Sequence, residues 1–392
     1  MNNGERRKNY VRRFFPSTMI LLLLLCGVTL LFINVSYSIA LFCGLILFFI
    51  GVYIEAKITF KGKLNIQTPD GFNQPYHPSA LFFPESLNGF KYWMAFTPMP
   101  LNAKPYTDRW ECPCIVVSND GINWSYPNNS VTFLDDLSQE QIEEGAFFSD
   151  VHLLYNHTDG RFELYYRLSE GEGYYKTITL IRKTLDKKNF LSYQWSERQI
   201  LTVDMAIKEL RPISPSYIKD GMCYRMWFVQ GGTIQQRRIH YGESPNGIDW
   251  VYKDVCVLTG RVCNPWHIDC QMINSQYYLT IYDQNNEISL WTSANGVEFN
   301  YLKCILKPNR RFGSFYNKGL YRACCIFDEQ FTFFFSARNQ DNTSLGLLRG
   351  DTLQELQVIS GGRKDSDKMI IKDMFCEFFG VELALYHKTL HK

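Results

Sequence analysis

Two short segments place an acid and a histidine two residues apart: Asp150-Val-His152 and His267-Ile-Asp269. On a β-strand the period-two alternation turns both members of such a pair to one face. There a carboxylate and an imidazole can exchange a proton with a substrate or hold its polar groups. The same kinds of side chain recur along the chain as His77, Glu111, Glu209, His240 and Asp283, with the cations Arg167, Arg211, Arg310, Arg311 and Arg338 among them. Planar guanidinium forks suit phosphate or carboxylate groups, and Trp110 and Trp266 offer faces on which a sugar ring can stack. Each residue also has an ordinary structural explanation. Asp150 can cap a turn, His77 can be a satisfied core histidine, Glu111 a solvated loop residue, Glu209 a group outside the site, and the arginines ion-pair partners. A polar side chain at a strand start that faces an interior is costly unless it pairs or binds something, so the clustering carries more weight than any one residue.

The elements that must position these groups come from an internal repeat. Ser118-Asn-Asp-Gly-Ile-Asn-Trp124, Ser244-Pro-Asn-Gly-Ile-Asp-Trp250 and Ser293-Ala-Asn-Gly-Val-Glu-Phe299 are near-copies, and Asx-Gly between apolar strands is a strong hairpin signal. Aromatic strands recur at 92–97, 162–167, 224–229, 277–282 and 331–336, each preceded by a small-residue or apolar strand that begins at His77, Asp150, Ser214, His267 or Ser314. A period of roughly 50 to 60 residues made only of strands predicts propeller blades. The fold class is therefore all-β: a five-bladed β-propeller over 75–360, with one short acidic helix near 137–144. In a four-stranded blade the start of strand one, the end of strand two and the start of strand three share a face, and the candidate residues fall at those places.

His77-Pro-Ser79, Ser149-Asp-Val-His152 and the SNDGINW-type hairpins resemble the five-bladed glycoside hydrolases of families 32, 43, 62 and 68, and are similar to the family 130 glycoside phosphorylases. The run HPSALFFPE…YWMAFTP…ECPCIVVSNDGINW looks like an uncharacterised glycosidase-like branch of that superfamily, found among bacterial surface-polysaccharide genes. The resemblance implies a set of carboxylates in the central funnel, an acid for the leaving oxygen and a base or nucleophile opposite it. These come from Asp in blade one, Asp in blade two or three, and Glu in blade three. Here His77-Pro78 stands at the blade-one Asp-Pro position, Asp150 is kept, and Ser214-Pro-Ser216 replaces the blade-three Glu motif, with Glu209 five residues earlier. Asp150 is accordingly expected as the catalytic carboxylate, with Asp269, Glu111 or Glu209 as partner. His77, His152, His267, Arg167, Arg211, Arg338, Trp110 and Trp266 are expected to bind substrate.

Before the propeller, residues 18–33 and 38–54 are apolar and free of charge. Each is slightly short of the roughly 20 residues of a membrane span. A polar break at 34–38 predicts a helical hairpin, following a basic stretch over 1–17 and leading to a linker over 55–74. Arg6, Arg7, Lys8, Arg12 and Arg13 precede the spans and Lys57, Lys61 and Lys63 follow them. The positive-inside rule then places both ends, and the propeller, on the cytoplasmic side of a cell membrane. The tail, 361–392, reads as amphipathic and is expected to pack on the propeller.

The 12 cysteines are scattered and follow neither a disulfide-scaffold nor a zinc-ribbon spacing. No metal motif and no cofactor are read from the sequence, although a single ion in a propeller channel leaves no local signature. With 41 basic and 39 acidic residues the chain has no general basic field for nucleic acid, and 16% aromatic content excludes a disordered chain. The expected partners are a glycan or sugar phosphate and a lipid bilayer at 18–54. The expected activity is glycosidic cleavage in cell-surface polysaccharide metabolism. The alternatives are transfer or phosphorolysis on a lipid-linked or phosphorylated sugar, and a non-catalytic glycan-binding or assembly module.

Overall fold

The computed structural model describes residues 35–60, 62–101, 111–171, 177–232, 236–309, 314–339 and 342–359. The first apolar span, the tail and Trp110, Arg310 and Arg311 lie outside these residues.

Five antiparallel sheets follow one another in chain order. Blade one comprises Pro75–Leu87, Phe90–Pro98 and Cys114–Ser118, and blade two Phe147–Asn156, Arg161–Glu170, Thr177–Asp186 and Gln199–Ile200. Blade three comprises Ile213–Asp220, Cys223–Val229, Ile239–Ser244 and Asp249–Val255, and blade four Pro265–Ile273, Gln276–Asp283, Ile288–Ser293 and Glu298–Leu306. Blade five has Gly319–Phe327, Phe331–Arg338, Thr343–Gly350 and Gln357–Val358. The outer edges of blades three and four each gain a short parallel strand from the preceding connection, Thr202–Val203 and Val257–Thr259. The first strand of each blade packs beside the first strands of its two neighbours, so these five strands surround the axis. This bears out the five-bladed propeller expected from the repeat.

The repeated hairpins show why the sequence recurs. In all three, a serine hydroxyl accepts from the backbone of the Asx and the Gly: Ser118 from Asp120 and Gly121, Ser244 from Asn246 and Gly247, Ser293 from Asn295 and Gly296. The Asx side chain in turn accepts from the next two backbone amides. The glycines have φ between +72° and +78°, a conformation that a side chain disfavours. Hydrophobic side chains from facing sheets then fill the spaces between blades, with Trp93, Trp227 and Trp291 fully buried.

Inner strands have an unpaired edge toward the axis, and buried backbone N–H groups need partners. Serines of neighbouring blades supply them. Ser79 Oγ accepts from Leu153 N at 2.9 Å, Ser214 Oγ from Ile268 N at 3.1 Å and Ser216 Oγ from Cys270 N at 2.8 Å. The Ser-Pro-Ser of blade three is thus partly an inter-blade clamp.

Several boundaries are corrected, while the hairpin itself depends on the first apolar span, which lies outside the described residues. The polar turn at 34–38 is helical from Val35 onward, because a helix runs over Val35–Phe60 and takes in the second apolar span. Among the described residues no helix is long and apolar enough to cross a membrane. The linker ends before residue 63: Lys63 bridges Gly346 of blade five, Leu64 N donates to Leu345 O at 2.9 Å, and Asn65 bridges Asn123 of blade one. These residues tie the last blade to the first. Blade five begins its inner strand at Gly319 instead of Ser314. The short acidic helix is Gln139–Glu143, closed by a Ser138/Gln141 capping box.

Gly346 lies at this closure, and a Cβ there would overlap the Phe335 ring. Gly346→Ala is expected to cost roughly 1–3 kcal/mol through overpacking. An unchanged urea midpoint would show that the seam tolerates it.

Candidate active site

Every inner strand breaks its ladder near its start. Register shifts fall between Tyr76 and Ser79, Ser149 and His152, Pro265 and His267, Leu320 and Ala323, and opposite Ser214 between Trp227 and Val229. At three of these bulges the residue is left-handed: His77 at φ 51°, Asp150 at 54° and Ser214 at 49°. Such φ values cost free energy for residues other than glycine and cluster where a side chain must be re-aimed. The bulges turn His77, Asp150 and His267 from three different blades toward one point.

There one ligand atom from each lies within 4.8 Å of the others, and all three residues are buried. Asp150 binds Arg167 in a short ion pair and accepts from Ser214 N at 3.0 Å. Its other oxygen, Oδ1, lies 3.4 Å from His267 Nδ1. His77 Nδ1 is engaged by Thr97 Oγ1 at 3.0 Å and Glu111 Oε2 at 3.2 Å. Beyond that 3.4 Å approach, His77 Nε2, both nitrogens of His267 and Asp150 Oδ1 have no hydrogen-bond partner among the described residues. Buried polar atoms without partners are costly, and here one from each of three residues converges.

Electrostatics prepares the cluster. Burial pushes the Asp150 carboxyl up, but Arg167, His267 and His77 more than reverse it and hold the group well below the carboxylate range. Burial pushes His267 down to about 4, against the opposing pull of Asp150. At neutral pH Asp150 is ionised and His267 neutral, the states in which both can ligate a cation. Two imidazoles and a carboxylate suit first-row transition ions. The 3.4 Å between Asp150 Oδ1 and His267 Nδ1 fits one edge of a coordination shell with ligands at about 2.1 Å. Thr97 and Glu111 on His77 Nδ1 orient Nε2 inward, as outer partners of ligating histidines do. No metal motif was readable, because the three ligands come from separate blades at 77, 150 and 267.

The depressed His267 also fixes a pH dependence. Between pH 6.5 and about 4 the unfolded chain binds a proton there that the folded cation-free chain does not. Acidification through this window should therefore cost stability on the order of 3 kcal/mol. Denaturant titrations at pH 7 and pH 4.5 check this, and His267→Gln should flatten that part of the profile.

His152 and Asp269 lie on the same strand faces as Asp150 and His267, but two residues, or about 6–7 Å, further along the axis. They form a second layer below the first. His152 Nδ1 is 3.3 Å from Asp269 Oδ1, and Arg322 Nη2 is 3.4 Å from the same oxygen. Gln271 Nε2 donates to Asp269 Oδ2 at 3.1 Å, and Arg322 Nη1 to Val151 O at 2.8 Å. Asp269 and Arg322 are wholly shielded from solvent. Asp269 and His152, expected as a catalytic carboxylate and a substrate ligand, thus pair with each other and with Arg322 in a buried ionic layer.

Glu209, Arg211, His240 and Asp283 separate from the cluster, while Arg338 and Trp266 border it. Glu209 is exposed on the helix Met205–Leu210, whose Asp204 N-cap accepts from Ile207 N, and Arg211 is that helix's left-handed C-cap. His240 packs on Phe228, with Tyr252 Oη at 3.3 Å from its Nδ1, and Asp283 holds an Asx turn with Asn285. Arg338 is exposed at the rim, close enough to Tyr76 and Tyr282 to oppose the rise that burial gives their hydroxyl pKa values. Trp266 is half-buried and donates to Tyr321 Oη at 2.9 Å.

Tyr321 was missed. Its ring lies 4.0 Å from His267, 5.2 Å from His77 and 5.1 Å from Tyr76, forming an aromatic wall beside the ligand atoms. The available signal was its place at the fifth bulge, hidden by starting that strand at Ser314.

No protein-family model matches the sequence, and neither does any curated protein. Solved structures do. An N-acetylgalactosamine deacetylase from F. plautii, seen with blood group B trisaccharide, superposes with a TM-score of 0.59 at 16% identity, covering 73% of this chain and 92% of its own. A family 43 enzyme from Xanthomonas citri bound to xylotriose gives 0.54 at 10% identity over 81% and 99%. A family 43 β-1,3-galactosidase gives 0.51 at 11% identity over 76% and 98%. The resemblance in the sequence is borne out at the level of fold: the chain carries the five-bladed β-propeller shared by these carbohydrate-active enzymes.

Proposed function

We propose that this protein is a carbohydrate-active hydrolase that binds a divalent cation through His77, Asp150 and His267 and removes an acyl group from a sugar. The observation that carries the reading is the convergence of one buried ligand atom each from His77, Asp150 and His267, with no other partner for His77 Nε2 among the described residues. A cation there would supply polarisation of a carbonyl oxygen and a more acidic bound water. Arg167 keeps Asp150 anionic, Thr97 and Glu111 orient His77, and Glu111 is the carboxylate placed to take or give a proton beside it. The fold held in common with a sugar deacetylase supports the substrate class.

Glycosidic cleavage is the second reading. It is favoured by the fold of the family 43 enzymes and by Glu111 and Asp150 both flanking His77. In this reading Asp150, held ionised, is the base or nucleophile and Glu111 the acid. Transfer or phosphorolysis would use the same pocket with another acceptor, and a non-catalytic glycan-binding or assembly module would use it without turnover.

The setting we propose is cell-surface polysaccharide metabolism, with residues 18–54 anchoring the chain in the bilayer and the propeller on the cytoplasmic face. What supports it is sequence: two charge-free spans with basic residues on both outer flanks.

The test uses the full chain stripped with a chelator. Calorimetric titration with Mn2+ and Zn2+ should show one site. Restoring the cation should restore acetate release from N-acetylated oligosaccharides. Reducing-sugar release that persists in chelator, with no cation site, would overturn the lead and favour glycosidic cleavage. A reporter fused after Lys392 that is active only outside the cytoplasm would overturn the orientation.

A further inference from the structure

A pocket of about 340 Å³ lies between blades three and four, on the face where the inner strands begin. Gln236, Arg237, Arg238 and Arg261 supply its polar wall, and Ile239 and Leu258 part of its apolar wall. Among the described residues no carboxylate lines it. Arg261 is neutralised from behind by Glu287 in a short ion pair. Arg237 has no carboxylate ion pair among the described residues, although it is only 8% exposed. Its backbone N donates to Asn264 Oδ1 at 2.9 Å and its Nη2 to Gly232 O at 3.2 Å, while its buried Nε has no partner among the described residues.

A guanidinium removed from water without an anion is expensive to maintain. Arg237 is held in this state by stacking: its Cζ lies 4.1 Å from the Trp266 ring centroid. Burial lowers its pKa, as it should for a cation lacking a counter-charge. Arg238 adds a second positive charge, and its field, after burial, helps to push His240 down. Trp266 also joins this pocket to the active site, since its Nε1 donates to Tyr321 and Tyr321 packs on His267. One indole separates the half-used guanidinium from the cluster.

From this we infer that the pocket is a subsite for an oxyanion carried by the substrate glycan, a phosphate or a carboxylate, with Arg237, backed by the Trp266 ring, as the recognising fork. That a substrate glycan carries the anion rests on the proposed hydrolase reading; the anion preference does not. Arg forks bind both groups bidentately, so the experiment includes one probe of each kind.

Binding of glucose 1-phosphate, galacturonate and glucose to the full chain would be measured by calorimetry, with and without chelator. At least one anionic probe should bind ten-fold or more tighter than glucose, weaken with added salt and be insensitive to chelator. Arg237→Gln should erase that preference, and Arg237→Lys should retain part of it, with unchanged near-UV circular dichroism showing an intact fold. Equal binding of all three probes, or a preference that survives Arg237→Gln, overturns the subsite. A preference lost with chelator or Asp150→Asn but not with Arg237→Gln also overturns it, because the anion would then sit on the cation. Absence of hydrolysis with the preference intact would count against the hydrolase reading alone.

Discussion

Asp150→Asn should abolish turnover and weaken divalent-cation binding by at least about 100-fold, more than the loss of an outer partner usually costs. Asn keeps a carbonyl oxygen that can accept from Ser214 N, now at 3.0 Å from Asp150 Oδ2, so the strand and its bulge have their main local bond. What disappears is the negative charge that compensates Arg167 and faces His77 and His267. Arg167 is then left buried beside a neutral amide, and stability should fall by about 1–3 kcal/mol. The two readouts separate the roles: cation affinity by calorimetry, and unfolding free energy by urea titration. Cation binding equal to that of the parent chain would remove Asp150 from the ligand set. Turnover retained by a folded variant would remove it from the chemistry.

Arg322→Met should be the most destabilising single change in the funnel. It strands the Asp269 carboxylate, wholly shielded from solvent, with only His152 and Gln271 as remaining side-chain partners among the described residues. Breaking a buried pair from one side typically costs 3–5 kcal/mol, roughly, because an uncompensated charge stays inside. The Arg322→Met/Asp269→Asn double variant should recover a large part of that loss, since both charges are gone. A single-variant loss under about 1 kcal/mol, or no recovery in the double variant, would mean that the second layer is not an ion-paired plug. Cation affinity serves as the internal control: it should change little when the double variant folds, because the plug lies below the ligand atoms.

The two variants also separate what was readable from what was not. Asp150, His77 and His267 were legible because inner-strand starts face the axis in any propeller, and the Ser-x-Asx-Gly hairpins and aromatic strands gave the blades. Glu209 misled because a one-and-a-half-turn helix has too few residues for a visible period; its Asp204 cap and left-handed Arg211 are features of geometry. Asp269 and His152 misled differently. Their strand face was right, but depth along the axis decides whether a carboxylate meets substrate or is sealed against Arg322.

The amino-acid sequence by itself therefore determined the repeating strand unit, the five blades and the ring of polar groups pointed at the axis, since local periodicity and turn chemistry act over a few residues. Only the tertiary structure decided which of those groups share a layer. The bulges at Asp150 and the other strand starts shift side chains by a residue, and five blades must close into a ring before His77, Asp150 and His267 come within reach of one another. Tyr321 and Arg237 became visible for the same reason. A stacking contact or a missing counter-charge is a relation between distant segments, and strand periodicity has no term for it.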